Sequence, residues 1–243
     1  MIYLIGGPPR CGKSTIAQLL ANKIKIPILP ANYLRIMVCP FLKYEDKRKK
    51  FPLDYVKKNA EWINDVIYNK FTPHKLVQYY QKQAKSIWTS LQACLKQALL
   101  SNDNLIIEGH QIQPDLLYKF LVRYSQFAQN IRVVFLYQRN INDILREIKQ
   151  GNSEQNWALR NTKKEETYLK IAEMISIYGE RIYRQAQKYS FASFNTELHF
   201  KRQAKNIVNH LLSNFYYTTP TKLSVITSIF FNKFYNKKSA HIN

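Results

Sequence analysis

Residues 6–15, GGPPRCGKST, hold three of the chain's six glycines and follow directly on the apolar run MIYLI. Gly7, Gly12, Lys13 and Ser14 match the spacing of glycine, four residues, then Gly-Lys-Ser/Thr, with a strand pattern before them and a helix pattern after. Glycine permits positive φ and close backbone approach, so successive N–H groups turn inward on phosphate oxygens while the next helix offers its positive end. Gly7, Pro8, Pro9, Arg10, Cys11, Gly12, Lys13, Ser14 and Thr15 are therefore the expected nucleotide cradle. In such a cradle Lys13 reaches the β and γ phosphates, the Ser14 hydroxyl ligates a bridging magnesium ion, and Thr15 meets the α phosphate.

The order of elements beyond the loop extends this local frame. Ile16, Leu19, Leu20 and Ile24 recur at helical spacing until Pro27, and IPIL is a short strand candidate. Residues 40–72 read as irregular or weakly helical. Thr72 and Pro73 signal a helix start, after which Leu76, Tyr80, Ala84, Ile87, Leu91, Leu95 and Ala98 trace one face of a long helix. NLIIEG then reads as a buried strand ending at Glu108, followed by a helix from Pro114, the strand IRVVFL and the helix INDILREIKQ. Tyr168, Ile171, Ile175, Tyr178, Ile182 and Ala186 mark a further helix, YSFASFNT a last strand, and residues 201–215 a final core helix. This alternation predicts an α/β fold with a parallel sheet and helices on both faces, ligands sitting at the carboxyl ends of its strands.

The 243 residues and 46% hydrophobic content suit one substantial α/β domain, taken as residues 1–216. No apolar run approaches the ~20 residues that span a bilayer. The opening MIYLIGG lacks the basic and long apolar regions of a secretory signal, so the cytoplasm is the expected location. Cys11, Cys39 and Cys94 are odd in number and lack paired metal spacing, which supports neither zinc nor a disulfide framework. The net charge of +21 leaves nucleic acid open as a partner, but the lysines are dispersed and no recognition motif accompanies them. The dense run KYEDKRKK, residues 43–50, reads first as a solvated loop, with receipt of an anionic substrate as the lesser alternative. Residues 217–243 form a tail in which Leu223, Ile226, Phe230 and Phe234 share a helical face ringed by lysines, and oligomeric state is left open.

Phosphoryl chemistry also needs a metal-positioning carboxylate, an acceptor site and a screen for charge. Glu108, at the end of its strand, is the candidate for holding magnesium through water or taking a proton from the acceptor. Residues 150–164 have the length and polarity of a lid, in which Arg160 presents the planar fork suited to phosphate oxygens, with Arg139 and Lys163 as second choices. Asn32, Arg35 and His110 are the candidate acceptor-binding residues, and residues 33–100, with Trp62, Tyr79 and Trp88, are the expected acceptor side.

MIYLIGGPPRCGKST, IIEGHQIQP and NWALRNTKKEETY, in that order, resemble the small-molecule kinases of the P-loop superfamily, in particular bacterial proteins similar to 2-phosphoglycerate kinase. Zeta toxins, chloramphenicol phosphotransferase and the shikimate and gluconate kinases are more distant relatives by fold. The resemblance covers about residues 1 to 200 and implies a kinase-type fold with a lid, ATP and magnesium. It carries Lys13, Ser14 and Glu108 to phosphate, metal and strand-end carboxylate roles. Many of these kinases place an aspartate after the second strand, in a pattern like S-T-D, where this chain has PAN and thus Asn32. Asparagine hydrogen-bonds but does not take up a proton as a carboxylate does. Three consequences stay open: Glu108 acts as base, positioning alone suffices, or transfer is lost while binding remains. The expected function is transfer of the ATP γ-phosphoryl group to a small acceptor, the alternatives being a nucleotide-dependent switch without transferase activity or a polynucleotide kinase.

Overall fold

In the computed structural model, residues 1–151, 156–197 and 199–213 are described. Five parallel strands form one sheet among them: β1 (Ile2–Gly6), β2 (Ile28–Pro30), β3 (Leu105–Gly109), β4 (Ile131–Tyr137) and β5 (Ser193–Asn195). Their spatial order is β2-β3-β1-β4-β5, so β1 lies at the centre, between β3 and β4. A central parallel strand is covered on both faces, which is why IYLIG and IRVVFLY are apolar nearly throughout rather than alternating.

The helices of the described chain are α1 (Lys13–Ile24), α2 (Asn32–Val38), α3 (Tyr44–Lys50), α4 (Pro52–Asn59), α5 (Asn64–Lys70), α6 (Pro73–Leu100), α7 (Pro114–Arg123), α8 (Ile141–Gln150), α9 (Trp157–Arg160), α10 (Glu165–Lys188) and α11 (Phe200–Leu212). Successive strand side chains point to opposite faces. Ile5, Ile106, Val134 and Leu136 accordingly pack against α1 and α11, in one cluster with Ile16, Leu20, Ala204 and Ile207. Leu4, Ile107, Val133 and Phe135 face the other way, in a larger cluster with Leu91 and Leu95 of α6 and Ile171 and Ile175 of α10. At Gly179 a Cβ would come within 1.9 Å of the Gln138 carbonyl oxygen, so α10 passes the end of β4 at backbone contact.

The α6 stripe is buried at every expected position, and Thr72 caps the helix by accepting from the Lys75 N–H at 3.3 Å. In α1 the outcome differs: Leu19 is 44% exposed, and Ala17 takes the inner place beside Ile16 and Leu20. Residues 40–72, expected to be irregular or weakly helical, instead hold a 3₁₀ turn, Cys39–Phe41, and the helices α3, α4 and α5. Each of those helices has only seven or eight residues, too few to display a period of 3.6. The last core helix runs from Phe200 to Leu212, and the amphipathic pattern of residues 217–243 lies outside the described residues. Among the described residues no helix is long and apolar enough to cross a membrane.

Candidate active site

The glycine-rich loop leaves the carboxyl end of β1 and enters α1 with φ +142° at Gly7, +70° at Arg10 and +82° at Gly12. A side chain at Gly7 would strike the Leu136 carbonyl oxygen at 2.4 Å, and one at Gly12 the ring of Phe200 at 2.3 Å. Both positions therefore need glycine for space as well as for conformation. Pro8 and Pro9 bring no N–H, so neither contributes a backbone donor to the cradle. Gly12 has no side chain to cap α1, which leaves the N–H groups of the first turn to an outside acceptor.

Lys13 is only 8% exposed, and its Nζ donates to the Pro8 carbonyl oxygen at 2.5 Å. The Cys11 thiol, pushed up in pKa by burial, donates to the same oxygen at 3.0 Å and thus serves as an internal brace of the loop. Ser14 and Thr15 are exposed at the helix start. From the far side the loop is held by Thr196, whose Oγ1 donates to the Cys11 carbonyl oxygen at 3.3 Å, and by Phe200 of α11. No pattern near Thr196 or Phe200 announced this support in the sequence, because it depends on β5 lying next to β4. The Arg10 guanidinium turns toward α8: Nη2 lies 3.3 Å from where a Gly151 Cβ would sit. Burial lowers the Arg10 pKa, with Glu147 of α8 opposing that effect.

β1 and β3 run in register, Ile5 beside Glu108 and Gly6 beside Gly109. That register delivers Glu108 to the loop, where the Ser14 hydroxyl donates to Oε1 at 3.1 Å. Among the described residues no group of three or more His, Cys, Asp or Glu side chains is placed to hold a metal. One hydroxyl and one carboxylate nevertheless suit magnesium, which takes one or two protein groups and fills its other positions with phosphate oxygens and water.

The opposite wall is assembled from several elements. The Ala31 N–H donates to the Glu108 carbonyl oxygen at 2.8 Å and ties the start of α2 to the end of β3. Asn32, exposed at the head of α2, accepts from Arg35 Nε at 2.9 Å. Arg35 Nη1 also forms an ion pair with Asp54 of α4, and Gln83 Nε2 of α6 donates to the other Asp54 oxygen at 3.3 Å. His110 meets the Tyr80 ring edge to face at 5.0 Å, while its carbonyl oxygen accepts from Gln113 and from the Tyr178 hydroxyl. The His110 Nε2 is buried without a hydrogen-bond partner, as are both amide atoms of Gln111. Burial, followed by the charges of Lys13, Lys57 and Arg35, holds the imidazole well below its usual pKa, so it is neutral at pH 7. Trp88 is in the core, 8% exposed, and Tyr79 packs edge to face on Phe71.

The described part of residues 150–164, the expected lid, is fastened to α5. Asn64 of α5 is 2% exposed; its Nδ2 donates to Thr162 Oγ1 at 3.0 Å and to the Trp157 carbonyl oxygen at 3.2 Å. Asp65 accepts from the N–H groups of Lys163 and Lys164. Burial alone would raise its carboxyl, but hydrogen bonds from Thr167 and those two N–H groups bring it below the ordinary value. Arg160 ends α9 exposed, with no side-chain partner among the described residues. Arg139 is engaged elsewhere: it stacks on Tyr137 and Tyr183 and pairs with Glu180 at 3.4 Å. Residues 152–155 of the lid lie outside the described residues.

A parallel sheet of this order, with a glycine-rich loop between its central strand and first helix, is a P-loop NTPase fold. No family model matches the chain. It is similar to the mevalonate-3-phosphate 5-kinase of Thermoplasma acidophilum, with 27% identity over 128 residues, 52% of this chain and 59% of that protein. The match thus spans less than two thirds of that relative. A gluconokinase from Sinorhizobium meliloti 1021 superimposes with a TM-score of 0.47 and 9% identity, covering 86% of this chain and 90% of its own. A shikimate kinase from Bacteroides thetaiotaomicron gives 0.43 and 14%, covering 87% and 96%. The deoxyadenosine kinase from M. mycoides with bound dATP gives 0.42 and 22%, covering 88% and 100%.

Proposed function

We propose that this chain is an ATP-dependent phosphotransferase that moves the γ-phosphoryl group to a small acceptor. The observation that carries the reading is the convergence of Ser14 and Glu108, 3.1 Å apart, at the mouth of a loop whose helix N-terminus is uncapped by any side chain. The open N–H groups of the loop and Lys13 bind and orient the nucleotide phosphates. Ser14 and Glu108 would hold magnesium, which when bound screens charge between the β and γ oxygens. In this reading Glu108, as the strand-end carboxylate, also takes the proton of an acceptor hydroxyl. Little further base catalysis is required, since phosphoryl transfer passes through a loose transition state that depends mainly on positioning and electrostatics.

In this reading Asn32 orients Arg35 through the 2.9 Å hydrogen bond, a task for which an amide oxygen suffices. Arg35 and His110 line the acceptor side, and Arg160, exposed and unpartnered among the described residues, is free to meet phosphate oxygens from the lid. The absence of a carboxylate at Asn32 favours a second reading, a nucleotide-dependent switch that binds without transferring. ATP turnover with magnesium, with and without pooled metabolite acceptors, separates the two when Lys13→Ala is run alongside. Pool-dependent turnover that vanishes in the variant supports the phosphotransferase. Wild-type turnover no faster than that of Lys13→Ala, with nucleotide binding retained, supports the switch.

A further inference from the structure

Between Ala31 and Leu42 the chain has a single charged residue, Arg35, and it is turned inward to Asp54. The helix α2 runs on into the 3₁₀ turn Cys39–Phe41, so the two share one helical surface. Ala31, Leu34, Cys39 and Leu42 lie on its core side, buried or half-buried. Tyr33, Ile36, Met37, Pro40 and Phe41 lie on the other side and are exposed, Phe41 at 89%. Steps of three, four, seven and eight residues from Tyr33 are those by which a surface helix buries an apolar stripe, and here the stripe faces solvent. Single apolar residues on a surface are ordinary, whereas a contiguous group marks a contact site. Basic residues border it: KYEDKRKK sets Lys43, Lys47, Arg48, Lys49 and Lys50 against Glu45 and Asp46. Lys43, Arg48, Lys49 and Lys50 are exposed, and none forms an ion pair among the described residues. The α3 helix is held beside the turn that carries Phe41. Ser86 of α6 donates to the Lys50 carbonyl oxygen at 2.9 Å, and the Lys47 charge opposes the rise that burial imposes on the Cys39 thiol.

We infer that the outer face of α2, together with the cations of α3, docks the protein on an anionic lipid surface. Ile36, Met37 and Phe41 enter the boundary between headgroups and acyl chains, while Lys43, Arg48, Lys49 and Lys50 meet lipid phosphates. Apolar side chains ringed by cations are the combination that holds interfacial helices on such membranes. Charge selects this occupant over the others. Residues 217–243 contain Lys222, Lys233, Lys237 and Lys238 and no Asp or Glu, so they repel the same face. A two-fold contact with a second copy brings the cations of both α3 helices into one interface. A nucleic acid would use the lysines and the rings but leave Ile36 and Met37 in water. The assignment is independent of the phosphotransferase reading, because the phosphate loop takes no part in it.

The test is co-sedimentation of the full chain with vesicles of phosphatidylcholine alone, or of equal parts phosphatidylcholine and phosphatidylglycerol, in about 0.15 M salt. The protein should bind the mixed vesicles and stay in the supernatant with the neutral ones. Met37→Ser combined with Phe41→Ser keeps the net charge and should weaken binding to mixed vesicles about tenfold or more. Lys49→Gln combined with Lys50→Gln should weaken it by about tenfold or more as well. All four positions are exposed, so unchanged melting temperatures are expected, and should one pair unfold the chain the other still decides. Phe230→Ser combined with Phe234→Ser is the matched control outside this face and should leave most of the binding. Unchanged binding in Met37→Ser with Phe41→Ser, equal binding to neutral vesicles, or a loss confined to the control pair overturns the assignment. Absence of vesicle binding by the wild type overturns it too. If Met37→Ser with Phe41→Ser then lowers affinity for single-stranded RNA, or abolishes a dimer seen by sedimentation velocity, the face belongs to nucleic acid or to a second copy instead.

Discussion

Residues 6–15 build their side of the cleft from one contiguous stretch, whereas the facing side gathers Asn32 and Arg35 from α2, Asp54 and Lys57 from α4, Tyr80 and Gln83 from α6, and His110 and Gln111 from the segment after β3. In the proposed function the first side acts through consecutive backbone N–H groups, with side chains used at Lys13 and Ser14. The second acts through side chains drawn from distant parts of the chain, and its polar groups are only partly satisfied. A loop of the first kind binds a feature shared by all nucleoside triphosphates, and a wall of the second kind can be fitted to one acceptor.

If the division holds, the largest single effect belongs to the phosphate side. Lys13→Ala should lower ATP-dependent turnover about 100- to 1,000-fold, the scale set by removing a charge-stabilising donor, with the melting temperature little changed. Turnover within a few-fold of wild type would break the comparison at its stronger end. Glu108→Gln keeps the shape of the carboxylate and should cost about 100-fold in kcat, with a smaller change in the KM for ATP. Steady-state kinetics at varied magnesium would show whether extra metal recovers part of that loss.

Disturbing the acceptor wall should first affect stability and closure. Asn64→Ala leaves Thr162 and the Trp157 carbonyl oxygen without their shared donor and should destabilise by about 1–3 kcal/mol, measured by denaturant titration. A loss of that size with unchanged ADP affinity would show that the lid stem belongs to the acceptor side. The smallest effect is set by His110. Its pKa in the folded state lies below the unfolded value of 6.5, so the unfolded chain binds more protons between the two. The stability it contributes is complete above pH 6.5 and lost as pH falls below that value. His110→Asn should flatten this part of the profile; identical slopes in wild type and variant would mean that His110 carries no such linkage.

How much was legible differs between the sides for the same reason. Gly7, Gly12, Lys13 and Ser14 sit at fixed spacing, and the positive φ at Gly7 and Gly12 and the buried Lys13 are what that spacing requires. The long stripe of α6 was readable because 28 residues give nearly eight turns of a 3.6-residue period. The short helices α3, α4 and α5 gave no such signal, and Leu19 fitted a helical period yet faces solvent, because the burial of Ala17 reflects how close α1 sits to the sheet. The sequence placed Arg139 second to Arg160, and only the structure shows that Arg139 is engaged by Tyr137, Tyr183 and Glu180.

The sequence by itself determined that β1, a phosphate loop and α1 follow one another, since each is stabilised by residues near in the chain. It also determined that Glu108 lies at the carboxyl end of a strand, which the structure extends by one residue to Gly109. Only the tertiary structure decided that β3 is the neighbour of β1 in the register that brings Glu108 to Ser14, and that Arg35 takes Asp54 and leaves Lys57 among three aromatic rings. Backbone geometry is set by local sterics and hydrogen bonds, whereas the charge balance of a pocket depends on which side chains the packed helices bring together from afar.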